Sequence, residues 1–471
     1  MAVTKEQETI ASSRKTLSAV KDAWLLQKEF YAAGHRWKAE GKPVAWSCAL
    51  FPKELYWSSG IYPFFPEQFA ALFSVRRVGG SRDPNVPTYA TKFCQVAEAE
   101  GYPDYLCGYG RTGLGYVLNG LRTGEWTDVP LGGPPLPDFL VTTSYGCDLR
   151  MKWFEAMAQM LKVPLFTLDA PEIPGDVIAD PYGLRAPALS VKKMTEREVV
   201  RGSIEPPIVS AASDYEVDYM ISQFEDYYNF AESVTGIKRD MDKLEEALDL
   251  SYRTCEVNRE INELRRAVPA PMPSTDGFAS AFPRLYLMGT KAGHDYFVKL
   301  RDELKVKVAA GEGAIPNEKF RLSWFGIPLW FNMGIFNYFE HFGGVFVYEG
   351  ANNTGLLRPR RPEAPLKELA LKSIAGGGIG ASVTSIIEES RQFKIDGVVL
   401  AFLITCRPAV FPAVEMSKAL ERELGIPTVR LEADLVDERI FAQSQAFTRL
   451  DAFAEALLQK GSIAHGKSAA A

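Results

Sequence analysis

The sequence predicts an α/β protein built from two doubly wound parallel-sheet domains, Rossmann or flavodoxin-like, with a helical region between them and a helical N-terminal arm. Three observations carry this expectation. Apolar runs turn abruptly into helical periodicity, PDFLVTTSYG into DLRMKWFEAMAQ and DGVVLAFLIT into RPAVFPAVEMSKALERELG, as a parallel strand does when it feeds its crossover helix. The two halves echo each other, each running strand, cysteine, helix, then a strand ending in aspartate (Asp169, Asp434). At 471 residues the chain also exceeds the size at which a single core keeps growing.

The elements divide the chain into an arm (1–36), a first α/β domain (37–200), a helical region (201–315), a second α/β domain (316–461) and a tail (462–471) expected to be disordered. In the first domain VAWSCALF is a strand, helices start at Pro66 and Tyr89, LGGPPLP is a hinge, and VPLFTLDAP follows the Cys147 strand one helix later. The stretch 174–209 is proline-spotted and reads as a long surface excursion. Residues 214–267 are two helices with a glycine stop between them; Asp240 is placed to cap the second, and Leu244 with Leu248 opens its buried stripe. The second domain reads FRLSWFG (strand), LWFNMGIFNYFEHFG (helix), GVFVYEG (strand), DGVVLAFLIT (strand), PTVRLEAD (strand), then a closing helix.

Composition excludes some roles. A net charge of −6 argues against nucleic acid as a partner, since phosphate binding needs a Lys/Arg excess. No apolar run approaches the roughly 18 residues of a membrane span. The N-terminal stretch is polar and amphipathic, without the apolar h-region of a secretory signal, so the expected location is cytoplasmic. The six cysteines (48, 94, 107, 147, 255 and 406) are scattered singles, which fits metal binding or a thiolate role better than a disulfide framework.

Several motifs carry less than their letters suggest. GYGRTG (108–113) matches G-x-G-x-x-G but lacks the apolar strand and the later acidic residue of a dinucleotide site. GGGIG (376–380) lacks the lysine of a phosphate loop and reads as a turn. The four histidines show no metal-site spacing, and no G-x-S-x-G elbow appears. Cys147 and Cys406 stand out because each ends a strand, where open parallel sheets place their ligands. A free cysteine there is either a small buried hydrophobe or a thiolate aimed at a ligand. Zinc wants paired ligands such as C-x-x-C, whereas an iron–sulfur cluster accepts cysteines from distant loops. Spacing by itself leaves convergence open.

Over most of its length, from Pro43 to Gln459, the chain resembles the 2-hydroxyacyl-CoA dehydratase and benzoyl-CoA reductase superfamily. The segments that carry the resemblance are FPKELYWSSGIYPFFPE, LCGYGRTGLG, PDFLVTTSYGCDLRMKWFE, FRLSWFGIPLW, and DGVVLAFLITCRPAVF with IPTVRLEADLVDERIF. SYGC followed by MKWFE, GIPLW, and EADLVDERIF look most like the larger substrate-binding subunit of ATP-dependent benzoyl-CoA reductases. The resemblance implies a [4Fe–4S] cluster on Cys107, Cys147 and Cys406, with Cys48 structural or a fourth ligand and Cys94 and Cys255 buried singles. It implies a homologous cluster-bearing sister subunit, a dimeric ATP-hydrolysing activator with its own cluster, and a low-potential donor such as ferredoxin. The substrate implied is an aromatic acyl-CoA whose ring is reduced to a cyclic diene. Ser144, Tyr145 and Trp330 are expected to line the ring site. Glu54 is the candidate proton donor, a carboxyl in an apolar cleft having a raised pKa; the other reading of Glu54 is a helix N-terminal residue after Pro52. The alternatives are a 2-hydroxyacyl-CoA dehydratase subunit, a lyase working through a ketyl radical, and a non-catalytic iron–sulfur electron carrier.

Overall fold

Among the described residues, eight short strands form two separate four-stranded sheets, parallel throughout. The computed structural model describes residues 13–171, 214–350, 363–376 and 383–468. In the first sheet β1 (Val44–Ser47), β2 (Tyr62–Phe64), β3 (Phe139–Thr143) and β4 (Leu165–Leu168) take the order β2-β1-β3-β4. In the second, β5 (Phe320–Phe325), β6 (Gly344–Glu349), β7 (Gly397–Leu403) and β8 (Thr428–Ala433) take the same order, β6-β5-β7-β8. Every residue of the central strands β1, β3 and β5 is buried, as the inner strands of a sheet covered by helices on both faces must be, and so is every residue of the edge strand β6. The two-domain α/β expectation therefore holds. β2 is the strand the pattern did not disclose, because three residues are too few to show a period. No helix among the described residues is long and apolar enough to cross a membrane.

The arm is the helix Ser18–Ala39. The helical region includes Asp214–Thr235 and Met241–Arg265, separated by Gly236 at φ 71°. Asp240 caps the second of these by accepting the Lys243 N–H at 3.1 Å, and Leu244 and Leu248 are fully buried. The excursion at 174–209, the boundary at 200/201 and the loop at 377–380 lie outside the described residues.

Two sequence expectations need correction. LWFNMGIFNYFEHFG is not an α-helix: residues Trp330–Phe342 wind as a 3₁₀ helix broken at Asn332 (φ −138°, ψ 55°). Its apolar residues recur every third position, at Trp330, Met333, Phe336, Phe339 and Phe342, and a three-residue turn stacks them on one face. Phe336 then packs on Trp324 at 4.7 Å between ring centres, and Phe339 on Phe346 at 5.6 Å. The tail is helical as far as Ser468, since each added residue gains a backbone hydrogen bond once a helix exists.

GYGRTG, discounted as a dinucleotide site, opens the helix Gly108–Thr123. Four glycines at 108, 110, 113 and 115 oppose a helix by propensity, yet packing demands three of them, at 108, 113 and 115. A Cβ at Gly113 would stand 2.6 Å from the Trp153 ring, and one at Gly115 would overlap the Phe93 carbonyl. Close approach of the neighbouring helices Tyr89–Ala99 and Asp148–Leu161 thus uses the missing side chains. Replacing Gly115 by Ala is expected to destabilise the protein by about 2 kcal/mol despite the better helix former, read as a lower melting temperature.

Candidate functional site

In an open parallel sheet the ligand crevice lies beyond the carboxyl ends of the strands, where strand order reverses. The reversals fall between β1 and β3 and between β5 and β7. Just past these four strand ends come Cys48, the turn Ser144 to Cys147, the turn Gly326 to Trp330 and the turn Ile404 to Cys406. Cys147 and Cys406 occupy matching places, each at the N-cap of the next helix, Asp148–Leu161 and Arg407–Val410. Cys107 stands at the N-cap of Gly108–Thr123. All three are half-buried, and their thiols lie within electrostatic range of one another.

None of these sulfurs makes a capping hydrogen bond. The first-turn amides of Tyr109, of Arg150 and Leu149, and of Ala409 nevertheless lie near enough to favour negative charge on them. Burial works the other way. It pushes the Cys107 thiol well above its ordinary range, with Cys406, Asp434 and Cys147 adding to the shift. It pushes Cys406 up to about 12 and raises Cys147, against the pull of the Arg150 guanidinium. Three such thiols by themselves stay protonated and unreactive; metal ligation would deprotonate them outright. Among the described residues no three His, Cys, Asp or Glu side chains gather tightly enough to hold a single metal ion. The unused amides and the neighbouring thiols suit a larger group held from several loops.

One buried network holds the two domains in register. Asp434, at the end of β8, accepts the Gly108 N–H at 3.0 Å, the Thr405 hydroxyl, and the Val436 and Asp437 N–H groups at 2.8 Å each. Arg111, fully buried, donates to Asp437 at 2.8 Å and Glu98 at 2.6 Å. Arg439 also donates to Asp437 and Glu98, and Arg77 grips Glu438 with two bonds of 2.9 Å. At the rim, Arg407 pairs with Asp148, one residue from each of two cysteines.

The expected lining residues meet different fates. Trp330 donates its indole N–H to the Tyr109 hydroxyl at 2.5 Å, joining the GIPLW turn to the start of the Cys107 helix. The Tyr145 hydroxyl donates to the Leu50 carbonyl at 3.0 Å. Ser144 turns its hydroxyl to Asp169, which also accepts from Tyr219 at 2.6 Å. Glu54 sits in the first turn of the helix Glu54–Ser59, fully buried, paired with Lys372 at 2.9 Å and accepting from Ser251. Burial would raise its pKa, but Lys372 and Ser251 outweigh burial and hold the carboxyl below its ordinary range. The raised pKa expected of Glu54 is therefore not found.

It is found at Glu67, which ends the FPKELYWSSGIYPFFPE segment and had no expected role. Glu67 opens the helix Pro66–Ser74 beside the first crevice, accepts the Ala49 N–H at 3.2 Å and makes no ion pair among the described residues. Burial raises its carboxyl against the pull of Arg150 and Lys53. Lys53, also buried, is pulled down to about 8. Arg150 braces the cysteine turn, donating to Thr143 Oγ1 at 2.7 Å and to the Tyr145 carbonyl. The signal available was the PE pair opening a helix, which the 3.6-residue pattern alone does not separate from an ordinary helix start. Cys48 is buried with its sulfur 3.7 Å from Thr143 Oγ1; Cys94 is buried under the Cys107 helix, its sulfur 3.8 Å from the Gly108 carbonyl, and Cys255 is buried against Met288.

The family model for 2-hydroxyglutaryl-CoA dehydratase, D-component, matches residues 48–457. The chain is 26% identical over 438 residues to the (R)-phenyllactyl-CoA dehydratase alpha subunit of Clostridium sporogenes, covering 90% of this chain and 91% of that one. It is 25% identical to the (R)-2-hydroxyisocaproyl-CoA dehydratase alpha subunit of Clostridioides difficile, covering 94% and 97%. It is 24% identical to a benzoyl-CoA reductase subunit of Thauera aromatica, covering 78% and 80%. The relatives are enzyme subunits named for CoA thioesters, in agreement with the superfamily expected from the motifs. With the matching model spanning all three cysteines, seven of the eight described strands and the Asp434 network, the chain belongs to the 2-hydroxyglutaryl-CoA dehydratase D-component family.

Proposed function

We propose that this chain is the substrate-binding, cluster-holding subunit of an enzyme that transforms an acyl-CoA thioester, with Cys107, Cys147 and Cys406 holding a [4Fe–4S] cluster. The observation that carries the reading is three thiols at three helix starts, gathered from two sheets around one crevice. When bound, the cluster would supply single electrons and an open iron position beside the substrate.

The chain's own residues set the surroundings. Tyr109 and Trp330 close one side of the cysteine group and exclude water, which strengthens every charge interaction inside. Arg150 holds the turn that carries Cys147. Glu67, not Glu54, is the residue we assign to proton handling, because burial raises its carboxyl while the Glu54 carboxyl is held low, and a raised carboxyl is the better general acid. Exposed Tyr105, Ile404 and Phe411 flank the cysteines in sequence and suit coverage by a partner. The partners we propose are a homologous sister subunit and a dimeric ATP-hydrolysing activator with its own cluster, supplied by a low-potential donor such as ferredoxin. A cytoplasmic location, where thiols stay reduced, suits this machinery.

Of the two reactions open to such a subunit, we favour dehydration of a 2-hydroxyacyl-CoA. Dehydratase alpha subunits align over 90% and 94% of this chain, against 78% for the reductase subunit. Ring reduction of an aromatic acyl-CoA is the second reading, supported by the SYGC, MKWFE and GIPLW segments and by the aromatic groups Tyr109, Tyr145 and Trp330. Anoxic assay with sister subunit, activator and reductant decides: we expect turnover of a 2-hydroxyacyl-CoA, and turnover of benzoyl-CoA alone reverses the order.

The wild-type chain purified without oxygen is expected to be brown with about four irons, and Cys147→Ala to lose iron while keeping its circular dichroism. Full iron in that variant removes Cys147 from the ligand set. Glu67→Gln is expected to lower turnover by about 100-fold with iron unchanged. Glu54→Gln acts on stability instead: stranding Lys372 costs about 3 kcal/mol, seen as a lower melting temperature in the apo chain.

A further inference from the structure

We propose that Asp434 is a positioning and charge-setting residue for the cysteine site, the single carboxylate that ties the Cys107 helix to the Cys406 turn and keeps a fixed negative charge beside whatever the cysteines hold. The inference rests on the reading of these cysteines as cluster ligands and concerns how the protein tunes that cluster.

Asp434 is fully buried. Its Oδ2 accepts from Gly108, the residue after Cys107, at 3.0 Å, and from the hydroxyl of Thr405, the residue before Cys406. Its Oδ1 is held by the Val436 and Asp437 amides at 2.8 Å each, so the carboxylate cannot rotate without losing bonds. Two cysteines from different domains are thus indexed to one group. Gly108 is part of the device, because a Cβ there would overlap Asp434 Oδ1.

The charge is only partly countered. The nearest cation, the Arg111 guanidinium, stands 3.8 Å away and spends its short bonds on Asp437 and Glu98. The matching residue of the first domain, Asp169, makes the same kind of bond to Ser144 but lies largely in solvent. Of two equivalent aspartates, only the buried one bridges two cysteine segments. A buried anion disfavours an added electron nearby, so this carboxylate lowers the reduction potential of a group held by Cys107 and Cys406. A low potential is what one-electron reduction of a thioester demands.

The test compares the full-length wild-type chain with Asp434→Asn and Thr405→Val, all purified without oxygen, by iron content, iron release to a chelator and a redox titration followed by electron paramagnetic resonance. Asp434→Asn keeps the shape and removes the charge. Its cluster is expected to reduce more easily by about tenfold or more in the one-electron equilibrium constant, about 59 mV. Thr405→Val keeps the charge and cuts one arm of the tie, and is expected to release iron about tenfold faster from a chain that still folds, with its apo melting temperature lowered by a few degrees. A wild-type chain that takes up no cluster overturns the ligand reading and this inference with it. A wild-type cluster with an unshifted potential in Asp434→Asn overturns this inference alone. Should Asp434→Asn not fold, iron release from Thr405→Val at the wild-type rate overturns it.

Discussion

Everything at the candidate site depends on a buried charge network between the two domains. Arg111 has no exposed surface and lies among Glu98, Asp434 and Asp437. A buried guanidinium left unpaired costs several kcal/mol, so the first domain is satisfied only when the segment after β8 is docked against it. Asp434 is bound in the same way, to amides on both sides of the junction. Neither sheet alone defines the crevice. The network makes two separately hydrogen-bonded sheets present their strand ends to one another in a single arrangement.

The two halves repeat a plan and then diverge where chemistry is expected. Both sheets have the same strand order, and in both the turn after the third strand ends in a cysteine at a helix start. In both, an aspartate after the fourth strand accepts a hydroxyl from that turn, Ser144 to Asp169 and Thr405 to Asp434. The first strands differ. β1 leads to a buried group with Cys48, Lys53, Glu67 and Arg150 close behind it, while β5 leads to the turn that delivers Trp330 to Tyr109. One half therefore supplies ionisable groups and the other an aromatic wall. Cys107 has no counterpart in the second half; it enters on the glycine-rich helix, whose missing side chains admit Trp153 and the Phe93 backbone.

Much of the fold was legible in the residues themselves. Seven of the eight described strands were legible: the inner strands because a parallel strand buried on both faces must be apolar, and β4 and β8 because each follows a crossover helix and runs into an aspartate. Asp240 and its helix were legible because capping is local, a side chain meeting an amide three residues on. The cysteines at Cys147 and Cys406 stood out because a strand end is marked by a change of period. By contrast, the 3₁₀ helix Trp330–Phe342 was written in a three-residue apolar spacing that passes for an α-helical stripe unless the period is counted.

What the sequence by itself determined was therefore the set of local elements and the cysteines that stand at their ends. What only the tertiary structure decided was which groups meet and in what electrostatic state. Glu54 and Glu67 are both acidic residues at helix starts in one motif, and nothing local distinguishes them. Lys372, far along the chain, neutralises the first, and burial without an ion pair raises the second. The glycines at 113 and 115 likewise have no evident reason to stand in a helix until the helices packed against them are known. Hydrogen bonding and periodicity act over a few residues, but desolvation and Coulomb interaction depend on distance in space, and that distance is set by packing.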